Sequence, residues 1–321
     1  MTSADVIYYR GLSLDRAGEA RKSQAWLDQQ WQHADCRVLL LHNDLNLMHW
    51  NRDQGLAPLA ISHARNEIDA LVCENQTVFF LGLENETPLF AADVSGFETS
   101  QLQTTLGIHE FINLREAGWL LKAQDAALLA YARGLLYWNR HSLFCSSCGA
   151  PAQSRQGGHL RLCSNADCAK MHFPRTDPAV IMLVEDCSGT GPARCLLARN
   201  ARFPARMMST LAGFVDPSES LEETVAREVF EEVGIRVDRI AYQASQPWPF
   251  PNSLMLGFRA RATTTEILID GIEIEEADWF SAKSLKSFGE WGDAGTGYCL
   301  PRKDSIARFL IESWIAESER R

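Results

Sequence analysis

No stretch of 18 apolar residues occurs in this 321-residue chain, so a membrane-spanning helix is not expected. Positive charge is scarce too: 31 Lys and Arg stand against 41 Asp and Glu, a formal net charge of −10. Non-specific nucleic-acid binding rests on neutralising phosphates with basic side chains, and no basic stripe is present to do it. Recognition of one nucleotide in a pocket stays open. The opening residues, from Met1 to Arg10, lack the basic, apolar and small-residue order of a secretory signal, so a cytoplasmic setting is expected. Internal repeats and low-complexity tracts are missing as well.

What is present reads as an ordinary globular protein, 46% hydrophobic and 22% charged, long enough for two or three domains with sizeable cores. Of nine cysteines, four cluster. The other five, Cys36, Cys73, Cys187, Cys195 and Cys299, are scattered and read as reduced, core-type thiols. A Cys187–Cys195 hairpin disulfide is conceivable, but a reducing compartment argues against it.

Residues 213–235 are the most informative stretch. Gly213, Glu219, Arg227, Glu228, Val229, Glu231, Glu232, Gly234 and Ile235 fill the pattern G-x5-E-x7-R-E-(apolar)-x-E-E-x-G-(apolar). The apolar periodicity of Leu221, Val225, Val229 and Val233 predicts a helix that starts near Ser218, with Gly234 as its C-cap. Glu228, Glu231 and Glu232 then stand at i, i+3 and i+4 on one face. So dense a set of carboxylates needs solvent, a cation or metal. Hard oxygen ligands of this kind suit Mg²⁺ or Mn²⁺, which lower the pKa of a bound water and neutralise phosphate charge. Arg227 is expected off the side-chain row of Glu231, pairing instead with a neighbouring carboxylate such as Glu219.

The clustered cysteines, Cys145, Cys148, Cys163 and Cys168, have the spacing C-x2-C-x14-C-x4-C. Two short Cys loops on a β-hairpin close a tetrahedral S₄ site, which favours Zn²⁺. With four thiolates no position stays open, so the zinc is expected to be structural, a clip joining two domains. His159 and His172 lie nearby in sequence and read as surface histidines.

Residues 245–253, Ser-Gln-Pro-Trp-Pro-Phe-Pro-Asn-Ser, alternate three prolines with Trp248 and Phe250. Proline at every second position holds the backbone extended, a pre-ordered wall suited to a planar base or to plugging a core. Following the glutamate pattern, this segment resembles the mark of the NADH pyrophosphatase (NudC-type) Nudix family, whose box residues 213–235 fill. The four-cysteine site, Phe173-Pro174-Arg175 and Glu273-to-Phe280 match that family as well, and the resemblance spans roughly 110 to 312.

The resemblance implies an α/β (α+β) fold, a Nudix α/β/α sandwich with a mixed sheet, behind a zinc ribbon and an N-terminal degenerate Nudix-like domain. It implies hydrolysis of the NAD(H) pyrophosphate and of the NAD cap on RNA 5′ ends, by a homodimer. Glu228, Glu232 and the backbone carbonyl of Ala212 become metal ligands, with Glu231 beside them and Glu273 adding a carboxylate to the metal and substrate site. Gln246, Pro247, Trp248, Pro249, Phe250, Pro251, Asn252 and Ser253 would line the nucleotide pocket, and Ala307 would touch substrate. Phe173 and Phe214 would stack the nicotinamide, and Arg115 would contact phosphate. Glu232 is our choice for the group that takes the proton of water, with Arg227, Glu228 and Glu231 completing the catalytic set. Two departures are evident: Phe173 stands where the family has Tyr, and the second Cys loop is longer than in some members.

The expected organisation is an N-terminal domain over 1–124, a linker helix and zinc ribbon over 125–174, and a catalytic domain over 175–321. Strands are predicted at 36–42, 77–83, 180–184 and 195–198, and helices at 125–139 and 305–317. Asp44, His49 and Asp53 have no metal-type spacing and read as turn residues. Two other functions compete: hydrolysis of ADP-ribose or another dinucleotide, and nucleotide or RNA binding without turnover. The intact glutamates and the missing basic stripe oppose the second.

Overall fold

The structure is a computed structural model that describes residues 7–55, 57–68, 71–72, 78–107, 109–189, 192–269 and 271–320. Cys73, Thr77 and, in the 188–192 turn, Thr190 and Gly191 lie outside them. The chain forms two compact units: residues 9–176 with 248–252, and residues 1–8, 177–247 and 253–321. The helix and cysteine hairpin of 125–174 pack with the N-terminal strands in the first unit.

In that unit the strands are β1 (Arg37–His42), β2 (Leu45–His49), β3 (Leu59–Ala60), β4 (Ser62–Ala64), β5 (Val78–Glu84), β6 (Thr87–Asp93) and β7 (Glu110–Ile112). They form one sheet in the order β3-β2-β1-β6-β5, with β4 paired to β1 and β7 to β2. The β1–β6 pair is parallel, with Val38 opposite Phe90. Val38, Leu40, Leu47, Phe80 and Phe90 share a core with Leu27 of α1 (Gln24–Trp31) and Leu102 of α2 (Thr99–Leu106). Asn43 and Asp44 take positive φ in the β1–β2 turn, and Asp53 also lies in a turn. His49, by contrast, ends β2: it is a strand residue, because the apolar run of β2 extends the pairing to it.

After the short α3 (Leu114–Ala117), α4 (Ala123–His141) buries Ala126, Leu129, Ala130, Leu136 and Trp138. Its end is tied to the cysteine hairpin, strands β8 (Ala152–Arg155), β9 (Leu160–Cys163) and β10 (Met171–His172), by a buried polar relay. Asn139 Nδ2 donates to the carbonyls of Leu135 (3.0 Å) and Gly158 (2.8 Å), while Arg161 donates to Asn139 Oδ1 (3.2 Å) and to the Ala152 carbonyl (2.7 Å). Buried amides and guanidiniums persist only when so satisfied.

The second unit is built on β11 (Asp177–Asp186), β12 (Arg194–Asn200), β13 (Leu211–Phe214), β14 (Val237–Trp248), β15 (Ser253–Ala262) and β16 (Ile274–Ser281). The sheet order is β14-β15-β11-β12-β16, with β13 paired to β11. It is mixed: β11 runs parallel to β15 and antiparallel to β12 and β13. A near-continuous apolar run, Ala179 to Val184, suits a central strand buried on both faces. Val180, Met182, Val184 and Leu196 pack with Val225, Val229 and Val233 of α5 (Leu221–Val233). Ile181, Leu183, Cys195 and Leu197 pack the other way, with Leu310, Ile311 and Trp314 of α7 (Ile306–Ser318), which follows the short α6 (Ala282–Leu285). The result is the α/β/α sandwich. No disulfide joins Cys187 and Cys195, and Cys195 is buried. No helix among the described residues is long and apolar enough to cross a membrane.

Trp314 is 2% exposed at the centre of the α7 face. Trp314→Ala is expected to cost about 3–5 kcal/mol, through lost burial plus a cavity, as measured by denaturant unfolding.

Candidate active site and zinc centre

Helix α5 holds most of the candidate catalytic groups, and its ends are set locally. Ser218 has φ +76°, which excludes it from a helix, so the start predicted there moves to Leu221 with Ser220 as N-cap. The Ser220 hydroxyl accepts from the Glu223 N–H (3.2 Å), and the Glu223 carboxylate accepts from the Ser220 N–H (2.7 Å). Gly234 closes the helix at φ +71°. One face is buried valine, so the opposite side carries the charge.

Arg227 is the hub of that charge. Its Nε and Nη2 donate to the two oxygens of Glu219 (2.6 and 2.8 Å), Nη1 to Glu228 (2.8 Å) and Glu231 (3.0 Å), and Nη2 also to the Phe214 carbonyl (3.0 Å). A guanidinium has five N–H donors, and all five are in use. The pairing with Glu219 follows the expectation. The separation from Glu231 does not: four residues is close to one helical turn, so Arg227 and Glu231 are neighbours. Bidentate contact with Arg227 holds the Glu219 carboxyl down to about 2. Burial pushes Glu228 up, against the opposing pull of Arg227. The Arg227–Glu219 clamp therefore contributes stability above the ordinary carboxylate range, lost only as pH falls toward 2.

Gly213 shows why the pattern opens on glycine. A Cβ there would clash with the Glu228 carboxyl group, so the side chain of Glu228 occupies the space a methyl would need. Ala212 and Gly213 belong to β13, opposite Ile181 and Val180 of the central strand. Strand and helix thus approach closely at one point.

These groups surround a cavity of about 620 Å³ lined by Ala212, Gly213, Phe214, Asp216, Arg227, Glu228, Glu231, Glu232, Ser253 and Glu273, among others. Glu232 is 6% exposed, whereas Phe214 is 58% exposed. Glu273 immediately precedes β16, the last strand in the sheet order. Carboxylates together with a strand-end backbone form a hard-oxygen donor set, which fits a divalent cation of the Mg²⁺ type. Asn200, Arg202, Met255 and Ile272 also line the cavity and were not anticipated. They come from strand ends and loops with no local signal; only the sheet register brings them here.

Other residues implied by the resemblance lie elsewhere. Gln246 is fully buried and not part of the cavity lining. Its Nε2 donates to the carbonyls of Asp304 (2.6 Å) and Tyr8 (3.3 Å), and its Oε1 accepts from the Ile306 N–H (2.8 Å). That caps the start of α7 and leaves the amide committed to backbone. Ala307 is buried in the α7 core, and neither it nor Pro247 lines the cavity. Residues 248–252 pack within the N-terminal unit. There Trp248 and Phe250 meet edge-on at 5.1 Å, Tyr9 packs against both rings, and Arg133 donates to the Pro249 carbonyl. The Arg115 guanidinium stands 6.0 Å from the Trp248 ring and 5.7 Å from that of Phe250. Phe173, in the same unit, is exposed.

The cysteines converge. Cys145 and Cys168 sulfurs are 3.8 Å apart, Cys148 and Cys163 3.4 Å, and all four ligand atoms lie within 4.8 Å of one another. Thiolates about 2.3 Å from zinc at tetrahedral corners are about 3.8 Å apart, so the set fits Zn²⁺. Backbone N–H groups of Ser147 and Cys148 favour the Cys145 thiolate, lowering its pKa to about 5. The nearby histidines are half-buried, not on the surface. His172 Nε2 lies 3.3 Å from Cys145 Sγ, and His159 Nε2 lies 2.9 Å from the Phe80 carbonyl and 3.2 Å from the Tyr131 hydroxyl. Burial lowers the His159 pKa to about 4, keeping it neutral.

The NUDIX domain family matches residues 175–297, and the NADH pyrophosphatase-like rudimentary NUDIX domain matches 19–138. The chain is 34% identical to the human NAD-capped RNA hydrolase NUDT12, over 96% of this chain and 73% of that protein. It is 40% identical to the human mitochondrial NAD(P)H pyrophosphatase NUDT13, over 75% of this chain and 69% of that one. With the NAD-capped RNA hydrolase NudC of Mycobacterium bovis it shares 42% identity, over 64% of this chain and 66% of the relative.

Two outcomes check these assignments. Gln246→Ala is expected to lower stability by about 1–3 kcal/mol, since three backbone groups lose their partner, with thermal unfolding as the readout. Cys163→Ser is expected to lose bound zinc, by elemental analysis, and to melt about 10 °C or more lower, while Cys187→Ser keeps both.

Proposed function

This chain belongs to the NUDIX hydrolase family, in its NADH pyrophosphatase branch, and we propose that it hydrolyses the diphosphate of NAD(H). Water adds across the P–O–P bridge, giving nicotinamide mononucleotide, reduced or not, and AMP. The same cut at an NAD-capped RNA 5′ end releases nicotinamide mononucleotide and leaves a 5′-monophosphate. The observation that carries this reading is the cavity ringed by Glu228, Glu231, Glu232 and Glu273, in a chain that pairs a NUDIX domain with the NADH pyrophosphatase-like one.

Glu228, Glu231, Glu232, Glu273 and the Ala212 carbonyl are the residues that would hold Mg²⁺ or Mn²⁺. Such an ion supplies an activated water and neutralises charge on the diphosphate oxygens. The chain's own part is positioning. Arg227 fixes the rotamers of Glu228 and Glu231 and screens their mutual repulsion. Gly213 leaves the space that Glu228 fills. Glu232, buried among the carboxylates that line the cavity, would accept the proton from the attacking water. Phe214, exposed beside the carboxylates, offers a face for the nicotinamide, a stack of roughly 1–3 kcal/mol.

Among the remaining implied contacts, Ser253 alone of residues 246–253 lines this cavity. The N-terminal unit is proposed to serve packing and homodimerisation, and the four zinc ligands to hold one structural Zn²⁺. Buried free thiols at Cys36, Cys195 and Cys299 favour a reducing, cytoplasmic location.

Products from NADH, NAD⁺, ADP-ribose, a diadenosine polyphosphate and an NAD-capped transcript, identified by mass spectrometry, test the proposal. Preference for ADP-ribose would overturn it. Glu232→Gln is expected to bind NADH as wild type does while kcat falls about 10²–10⁴-fold; unchanged turnover would remove Glu232 from its role.

A further inference from the structure

The cavity has an unequal charge inventory. Five carboxylates line it, Asp216, Glu228, Glu231, Glu232 and Glu273, against two guanidiniums, Arg202 and Arg227. A diphosphate brings further negative charge to this surface. Arg227 cannot greet it, because each of its five donors already serves Glu219, Glu228, Glu231 or the Phe214 carbonyl. Turning it toward substrate would release the acids it restrains.

Arg202 differs in each respect. It is exposed, and its guanidinium makes no hydrogen bond or ion pair with the described residues. Its two arginine neighbours in sequence are committed: Arg199 pairs with Glu275 and Glu276, and Arg206 donates to the carbonyls of Gly297 and Asp293. The backbone around Arg202 is nevertheless held. Its own N–H donates to Asn200 Oδ1 (3.0 Å), the Phe203 N–H to the Asn200 carbonyl (2.9 Å), and the Ala201 N–H to the Glu273 carbonyl (3.0 Å). The last bond fastens the loop to a residue that itself supplies a carboxylate to the cavity. The strand register shifts between Arg199 and Asn200, where Asn200 pairs with Ile274, and this irregularity turns the chain out of β12. A free guanidinium on a pinned backbone, at the rim of an acidic cavity, is a preorganised anion clamp.

We propose that Arg202 binds the non-bridging oxygens of the substrate diphosphate, drawing the scissile group onto the carboxylate face. This deepens the hydrolase reading and rests on it for the identity of the substrate; the anion-binding role rests on Arg202 and its surroundings. A charge-assisted, forked contact at a half-open site is worth roughly ten- to a hundredfold in affinity. Lysine supplies the charge without the fork.

The test uses the full-length, zinc-loaded protein with Mg²⁺. In one arm, inorganic pyrophosphate is titrated calorimetrically into wild type, Arg202→Ala and Arg202→Lys. The dissociation constant is expected to rise about tenfold or more in R202A and to recover partly in R202K. In the other arm, NADH hydrolysis is followed at steady state. R202A is expected to raise KM more than it lowers kcat, and added methylguanidinium to restore part of the loss. Equal melting temperatures and zinc contents show that the variants are folded, as substitution of an exposed side chain predicts. Equal pyrophosphate affinity in wild type and R202A overturns the Arg202 inference, whatever NADH does. Absence of NADH turnover by wild type, with the pyrophosphate difference intact, overturns the hydrolase reading and leaves the anion clamp standing.

Discussion

The saturated guanidinium of Arg227 is the interaction on which the catalytic unit depends. Glu219, Glu228 and Glu231 would repel one another if left to water and to their own rotamers. One arginine, with five donors in a rigid plane, gathers them and ties them to the β13 carbonyl of Phe214. A lysine in the same place could not make a forked contact with Glu219 while holding two more acids. The helix face is acidic enough for a divalent cation, yet ordered before one arrives. That order is what a hydrolase gains from the arrangement, since ligand geometry is prepared in advance of substrate.

The same economy of buried polar groups appears in the N-terminal unit. Its cysteine hairpin is too small to carry a hydrophobic core of its own, the circumstance in which metal ligation supplies stability. The sulfurs converge at one end of the hairpin, and at the other Arg161 and Asn139 bind it to α4. That relay lies within one unit, between the hairpin and α4. Neither residue stood out in the sequence, because an arginine and an asparagine 22 positions apart carry no pattern until the backbone folds.

Gln246 and the prolines after it show where local reading stops. Alternating Pro, Trp and Phe do make a rigid extended segment, as chain stiffness requires. Stiffness does not say which surface receives the rings. In the structure the aromatic part packs with Tyr9, Arg115 and Arg133, and the glutamine ahead of it caps a helix that begins 60 residues later. Similarly, Ser218 and Ser220 are both plausible caps by residue type. The left-handed backbone at Ser218 decides between them, and that follows from the turn leaving β13.

Several short-range features were legible from residue order alone: the i, i+3, i+4 carboxylates, the Gly234 cap, the two Cys loops and the apolar central strand; the Arg227–Glu231 contact one turn apart was not. They depend on the fixed rise and pitch of a helix or strand, which every chain shares. The family pattern extended this reach to Glu273. Tertiary structure alone decided the contact of Arg227 with the Phe214 carbonyl, the closeness of Gly213 to Glu228, the burial of Gln246 and the free guanidinium of Arg202. Each of these depends on how separate elements meet, which is set by strand register and by which face of the sheet a helix covers. Residue order names the groups able to do chemistry; packing determines which of them meet.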